Sequence, residues 1–119
     1  MEIDIKRIYD EPAATDGYRI LADRLWPRGI SKETAHIDYW AKDLAPSPAL
    51  RRWFGHQPDK WPEFEALYWQ ELQNGAEALK KLKEEVKNKS HLTLLYAAKD
   101  TEHTHALVLE KYLKKALRH

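Results

Sequence analysis

The chain has no cysteine, one methionine and only four glycines among its 119 residues. Without cysteine it cannot form a disulfide, use a thiolate as a nucleophile, or hold zinc or an iron–sulfur cluster through sulfur. No apolar run approaches the roughly 20 residues that a membrane-spanning helix needs. The first ten residues, MEIDIKRIYD, carry charges within their apolar run, unlike a signal peptide. We therefore expect a cytoplasmic protein without membrane contact.

The charges of the chain are numerous but balanced. There are 20 lysines and arginines against 19 aspartates and glutamates, which leaves a net charge of +1. A protein that binds duplex nucleic acid nonspecifically usually has a clear basic excess. Any basic function must therefore be local to one part of the chain.

Three segments have the composition of β-strands. Residues 2–9 alternate isoleucine with charged residues, which is typical of a half-buried or edge strand. Residues 18–25 have apolar side chains on both faces. Residues 91–98, HLTLLYAA, are almost continuously apolar, as in a central strand that is covered on both sides.

Helical periodicity replaces this pattern between about residues 32 and 88 and returns after the third strand. Ser47 followed by Pro48 predicts an N-cap and a proline at the first helical position, and Gly55 would end this helix. The remaining helices are predicted from the spacing of apolar residues. They cover about residues 62–75, 76–86 and 106–116.

Strands that alternate with helices indicate an α/β fold, and a chain of this length is expected to form one domain, residues 1–119. The link between the first two strands is too short for a helical crossover, so these strands would be antiparallel if they are neighbours. The long helical segment permits a parallel, right-handed return to the third strand. We predict a small mixed, partly parallel sheet flanked by helices.

The segment RLWPRGISK, residues 24–32, follows the second predicted strand and is unusually basic. Four basic residues and one acid lie between residues 19 and 32, so a net charge of +3 is concentrated there. Gly29 lets the backbone turn. The guanidinium groups of Arg24 and Arg28 match phosphate or carboxylate with two parallel hydrogen bonds, which suits this loop to an anion.

A second polar segment, KDTEHTH, leaves the third predicted strand and enters the first turn of a helix. Ligands of open α/β sheets bind beyond the carboxyl ends of parallel strands, and a helix N-terminus favours an anion. If the second and third strands are parallel neighbours, the cations of both segments share one opening. These cations are Arg24, Arg28, Lys32, Lys99, His103 and His105.

The two segments together predict a ligand site whose residues have different roles. Arginines and lysines would bind the anion, aspartates would orient them, and a histidine would act as acid or base. The predicted catalytic residues are His103, His105 and Asp23, and the predicted ligand-binding residues are Arg24, Trp26, Arg28, Gly29, Lys32, Lys99 and Asp100. The competing interpretation is structural: the arginines pair with Asp23, and Trp26 fills the core.

The two histidines of the second segment do not predict a metal site. On a helix, residues two apart point about 200° away from each other, so His103 and His105 could not hold one ion together there; only an extended segment would place both on one side. A helix N-terminus disfavours the imidazolium ion, so a histidine there tends to stay neutral and to accept a proton. The sequence identifies neither a cofactor nor an oligomeric state.

Four motifs resemble the bacterial family of YeaO-like proteins, the domain of unknown function 488. They are DGYRILADRLWPRGISKE, LAPSPALRRWF, GHQPDKWPEF and TLLYAAKDTEHTHA, and the similarity extends over almost the entire chain. The resemblance implies a small cytoplasmic α/β protein and no established activity. The family commonly has asparagine between the two histidines, where this chain has Thr104.

The leading functional hypothesis is a pocket for a small anionic ligand, phosphate or carboxylate, with hydrolase or transferase chemistry as an option. One alternative is a nucleic-acid-binding protein that adds the lysines of the third predicted helix to the same basic opening. The other alternative is a non-enzymatic adaptor domain in which the basic motifs only stabilise the fold.

Overall fold

The computed structural model of the protein describes residues 1–117. Its strands are β1 (Glu2–Arg7), β2 (Tyr18–Leu21), β3 (Tyr39–Trp40) and β4 (His91–Tyr96). They form one sheet in the order β1–β4–β2–β3, and each neighbouring pair is parallel. The apolar strand β4 is therefore central, as its composition predicts.

The helices are α1 (Lys32–Ala35), α2 (Pro48–Phe54), α3 (Trp61–Asn74), α4 (Ala76–Val86) and α5 (His105–Ala116). The predicted start and end of α2 are confirmed: the Ser47 side chain accepts a hydrogen bond from the Leu50 amide, and Gly55 ends the helix in the left-handed region at φ 53°. Within residues 1–117, no helix is both long and apolar enough to cross a membrane.

The predicted α/β fold is confirmed, but the sheet is entirely parallel rather than mixed. The prediction assumed that β1 and β2 could be neighbours, whereas β4 lies between them. The ten residues between β1 and β2 are indeed too few for a helical crossover, but ten residues of extended chain span roughly 33 Å, more than the length of β1. A parallel return therefore needs no helix there.

The two faces of the sheet are covered unequally. Helices α2 to α5 pack on one face, where apolar residues of β1, β2 and β4 meet helix residues such as Phe64, Tyr68 and Leu109. The other face has only a small apolar cluster, formed by Ile8, Leu21, Ala35 and Leu95, under the two loop segments that follow β1 and β2. This second face of the sheet, which has less apolar cover, depends more on polar contacts.

A buried ion pair holds the first of these loops on the sheet. Asp16 and Arg19 are 7% and 4% exposed and form a salt bridge, while Lys6 lies 3.1 Å from the same carboxylate. Burial raises the pKa of Asp16, but hydrogen bonds from the Ala13 amide, Lys6 and Arg19 outweigh it and lower the pKa overall. The Arg19 guanidinium also donates to the carbonyls of Ala35 and His36.

This network predicts an acid-sensitive contribution to stability. Because the folded pKa of Asp16 is lowered, its carboxylate stabilises the fold above the unfolded pKa of about 4 and loses that effect as pH falls through the lower folded value. Asp16→Asn should lower the free energy of unfolding at neutral pH by about 3 kcal/mol, because Arg19 stays buried without its partner. Urea denaturation at a series of pH values measures both effects. The exposed Asp10→Asn is the control, and an equal effect of both variants would contradict the assignment.

Gly17 allows the chain to pass close to β4. Its φ is +68°, and a Cβ atom at this position would lie 2.6 Å from the His91 carbonyl oxygen. Gly29 has a similar φ of +75° but has no atom within 4 Å of the same position.

We expect Gly29→Ala to lower the free energy of unfolding by about 1 to 3 kcal/mol through backbone strain alone. Gly17→Ala should cost clearly more, because it adds a clash with the backbone of β4 to the same strain. Denaturation curves of the two variants measure the difference, and equal losses would show that the close approach does not matter.

Candidate functional site

A cavity of about 380 Å³ opens where β4 ends and α5 begins, and α2 forms its opposite side. The polar residues that line it are Arg51, Arg52, His56, His103, Thr104 and His105. The rings of Phe54 and Phe64 belong to its apolar lining. The described lining residues include no aspartate or glutamate, so the permanent charges at its surface are those of the two arginines.

Neither cavity arginine has a side-chain partner within residues 1–117. Arg51 and Arg52 are consecutive residues of α2 and are exposed, and within residues 1–117 neither side chain forms an ion pair or a hydrogen bond. The guanidinium groups of Arg7, Arg19 and Arg24, in contrast, all donate to protein acceptors. The donors of the cavity arginines are therefore free for a ligand.

Asp100 organises the loop that precedes α5. Its Oδ1 accepts hydrogen bonds from the amides of Glu102 and His103, at 2.9 and 3.0 Å, and its Oδ2 lies 2.9 Å from His103 Nδ1. The bond from the Glu102 amide is the largest cause of a lowered pKa for Asp100, and the contacts with His103 lower it further. These loop amides are already bonded and so are not available to an anion.

Thr104 is the N-cap of α5. Its side-chain oxygen accepts a bond from the Ala106 amide at 3.4 Å, and the residue is 2% exposed. Asparagine and threonine both serve as N-caps. Thr104 therefore supplies a capping side chain at the entrance to the helix.

Asp23 joins the carboxyl ends of the central strands to α5. Its Oδ2 accepts a hydrogen bond from the Ala97 amide at 2.9 Å, just beyond β4, and its Oδ1 lies 3.1 Å from His105 Nε2. The same His105 nitrogen lies 3.0 Å from the carbonyl oxygen of Ala22. Asp23 thus fixes the His105 ring without lining the cavity itself.

Two residues predicted to bind ligand are engaged in contacts within the protein. Arg24 donates to the carbonyl oxygens of Ala45 and Pro46, at 3.1 and 3.3 Å, and borders a different cavity of about 180 Å³. The Trp26 ring nitrogen donates to the Ile30 carbonyl at 2.6 Å, and its ring packs edge-on against Trp40. Arg24 thus contacts backbone carbonyls rather than Asp23, with which the structural interpretation paired it.

The other predicted ligand-binding residues of this segment lie outside the cavity lining. Arg28, Gly29 and Lys32 are exposed, and so is Lys99 at the end of β4. The structure therefore brings His103 and His105 to one cavity and places Asp23 and Asp100 behind them. The ligand-binding roles of the remaining residues stay predictions.

Sequence reasoning missed three cavity residues. Arg51 and Arg52 lie in the helix that Ser47 and Pro48 predict, and neither they nor His56 are among the predicted site residues. Consecutive arginines are common on surface helices. The one sequence feature that could have indicated a site here is that both lie close to Gly55, where the helix ends. Their meeting with His103 depends on the packing of α2 across the sheet, which no local pattern specifies.

A separate group of metal-type ligands lies on the strands, away from this cavity. The side-chain ligand atoms of Glu2, Asp4 and His91 all lie within 4.8 Å of one another, and His91 Nε2 is 2.8 Å from Asp4 Oδ2. Both carboxylates are exposed. His103 and His105 each lie beside a carboxylate, that of Asp100 at 2.9 Å and that of Asp23 at 3.1 Å.

Comparison with known proteins identifies the family. The model of a family described as the inactive DUF488-N3 subclade matches residues 2–119. The uncharacterized protein YeaO of Escherichia coli is 45% identical over 114 residues, which cover 96% of this chain and 98% of that protein. The uncharacterized protein Rv3073c of Mycobacterium tuberculosis is 38% identical over 111 residues, 93% of this chain and 92% of its own. No solved structure matches the chain significantly. The chain therefore belongs to the DUF488 family, in the subclade described as inactive DUF488-N3.

Proposed function

We propose that the cavity between α2 and the start of α5 binds a small anionic ligand through Arg51 and Arg52. The observation that carries the proposal is a pair of guanidinium groups without a partner in residues 1–117, at a cavity whose described lining has no carboxylate. Guanidinium groups bind phosphate and carboxylate with paired hydrogen bonds. The cavity also lies beyond the carboxyl ends of parallel strands, where ligands of α/β sheets bind.

The size and lining of the cavity limit the ligand further. A volume of about 380 Å³ is near the lower end of small-molecule sites, which span roughly 300 to 1,000 Å³. Phe54 and Phe64 supply apolar surface beside the arginines. The proposed ligand therefore combines one anionic group with a small body that has some apolar surface.

Binding, rather than hydrolase or transferase chemistry, is the function we infer. The description of the family as an inactive subclade favours a protein that holds a ligand without converting it. The arrangement of Asp100 beside His103 is also explained by loop geometry, because the same carboxylate accepts two backbone amides. The protein would then be a non-enzymatic domain that responds to a bound ligand, which is compatible with the adaptor alternative.

Nucleic-acid binding has less support than a small ligand. The lysines of α4 are exposed, but Lys87 beyond its end pairs with Glu84 at 2.7 Å, and three glutamates balance the three lysines within the helix. This face is therefore close to neutral. Short oligonucleotides belong in the binding panel, since phosphate contacts would give an affinity that falls steeply with salt.

The arginine pair gives a direct test. A ligand at a hundredfold excess over its dissociation constant stabilises a protein by about 2.7 kcal/mol, which is a shift of several degrees in melting temperature for a chain of this size. We expect such a shift with at least one of phenyl phosphate, benzoate or inorganic phosphate. The double variant Arg51→Ala, Arg52→Ala should lose it, while its melting temperature without ligand changes little because both side chains are exposed.

The matched control is the double variant Arg28→Ala, Lys32→Ala, which removes the same charge from two exposed positions outside the cavity. It should keep the full ligand-induced shift. Loss of the shift in this control, together with its retention in the cavity variant, would assign the anion to the RLWPRGISK segment instead. The absence of any shift across the panel would contradict the proposal.

A further inference from the structure

Asp100 determines which nitrogen of the His103 ring carries the proton. Its Oδ2 lies 2.9 Å from His103 Nδ1, and a lowered pKa keeps this carboxylate ionised near neutral pH, so it can only accept a hydrogen bond. His103 must therefore donate from Nδ1. In a neutral imidazole that leaves Nε2 without a proton, as an acceptor.

This Nε2 atom is open to solvent at the cavity. It has no hydrogen-bond partner within residues 1–117. Because that part of the chain contains no buried side-chain nitrogen or oxygen that lacks a partner, this atom is not buried. His103 lines the cavity and is partly exposed. The free acceptor of the ring is therefore accessible to a ligand there.

His105 offers an acceptor in the same way. Its Nε2 faces the Ala22 carbonyl oxygen and Asp23 Oδ1, both acceptors, so Nε2 carries the proton and Nδ1 is bare in the neutral ring. His105 also lines the cavity. In their neutral forms the two histidines thus add hydrogen-bond acceptors beside the arginine donors.

A bare imidazole nitrogen discriminates between ligands. It has no proton to give to a phosphate or carboxylate oxygen, and two lone pairs facing each other across a hydrogen-bond distance repel. It accepts a hydrogen bond from a hydroxyl group, and leaving a polar group unpaired in a binding site loses affinity. The histidine side of the cavity is therefore complementary to a hydroxyl group rather than to the anion.

We propose that Asp100, by holding His103 with Nε2 bare, makes the cavity select phosphate esters that carry free hydroxyl groups over those that lack them. The proposal rests on the anion-binding function above, with the phosphate at Arg51 and Arg52. Asp100 acts through His103 and is a positioning residue for specificity. The ligand class is a small polyol phosphate.

Two probes of equal carbon length test the selectivity. Propyl phosphate and glycerol 1-phosphate share a phosphate and a three-carbon chain, but only the second has free hydroxyl groups. One hydrogen bond of ordinary strength corresponds to about a fivefold to tenfold difference in dissociation constant. We expect glycerol 1-phosphate to bind more tightly than propyl phosphate by that factor in isothermal titration calorimetry.

Asp100→Asn should reverse the tautomer. The asparagine oxygen can still accept the amides of Glu102 and His103, while its NH₂ group would donate to His103 Nδ1 and move the ring proton to Nε2. The preference for glycerol 1-phosphate should then fall to about twofold or less. Long-range ¹H–¹⁵N spectra of the neutral ring report the tautomer directly, before and after the substitution.

Asp4→Asn is the matched control, because Asp4 also lies beside a histidine, His91, but away from the cavity. It should leave the preference and the His103 tautomer unchanged. Equal binding of both probes, or a wild-type His103 with its proton on Nε2, would overturn the selectivity while leaving anion binding intact. If neither probe binds the wild-type protein, the selectivity is wrong, and the thermal shifts with phenyl phosphate, benzoate and inorganic phosphate decide separately whether the anion site is wrong as well.

Discussion

The carboxylate of Asp23 is the contact on which the site depends. It accepts the amide of Ala97 beyond β4 and lies beside His105 at the start of α5, while its own backbone carbonyl accepts the Trp40 ring nitrogen at 2.7 Å. One residue therefore fixes the ends of three parallel strands and the beginning of a helix relative to one another. The histidines line a cavity because these ends are held together.

Five arginines of the described chain form two groups with different roles. Arg7, Arg19 and Arg24 donate to carbonyl oxygens or to a buried carboxylate, and so stabilise loops that have little apolar cover. Arg51 and Arg52 make no such contacts in the described chain and face the cavity. Net charge cannot separate the two groups, because a guanidinium group counts the same whether it is satisfied internally or free.

Local chemistry explains what the sequence could predict. The cap at Ser47, the glycine end at Gly55 and the apolar run of β4 depend on neighbouring residues, and all three have the predicted structure. The order of the strands depends on contacts between residues far apart in the chain. The short loop after β1 therefore does not indicate that β4, rather than β2, is the neighbour of β1. The position of His103 and His105 at one cavity was predictable because both closely follow the end of the central strand, His103 in the loop and His105 at the start of α5.

The cations of the site were harder to predict. Arg24 and Arg28 follow a strand and looked like ligand groups, but the acceptors of Arg24 are carbonyls about twenty residues later in the chain. The arginines that do line the cavity are on a helix with an ordinary surface pattern. For Arg24 as for the two cavity arginines, contacts with residues distant in sequence decide whether the side chain is structural or available to a ligand. Residue type alone does not determine this.

A crystal structure of the protein with glycerol 1-phosphate bound tests the central claim most directly. The account predicts the phosphate against the guanidinium groups of Arg51 and Arg52, with a hydroxyl group within hydrogen-bond distance of His103 Nε2. A phosphate bound instead at Arg28, Lys32 or Lys99, with the α2–α5 cavity empty, would contradict it.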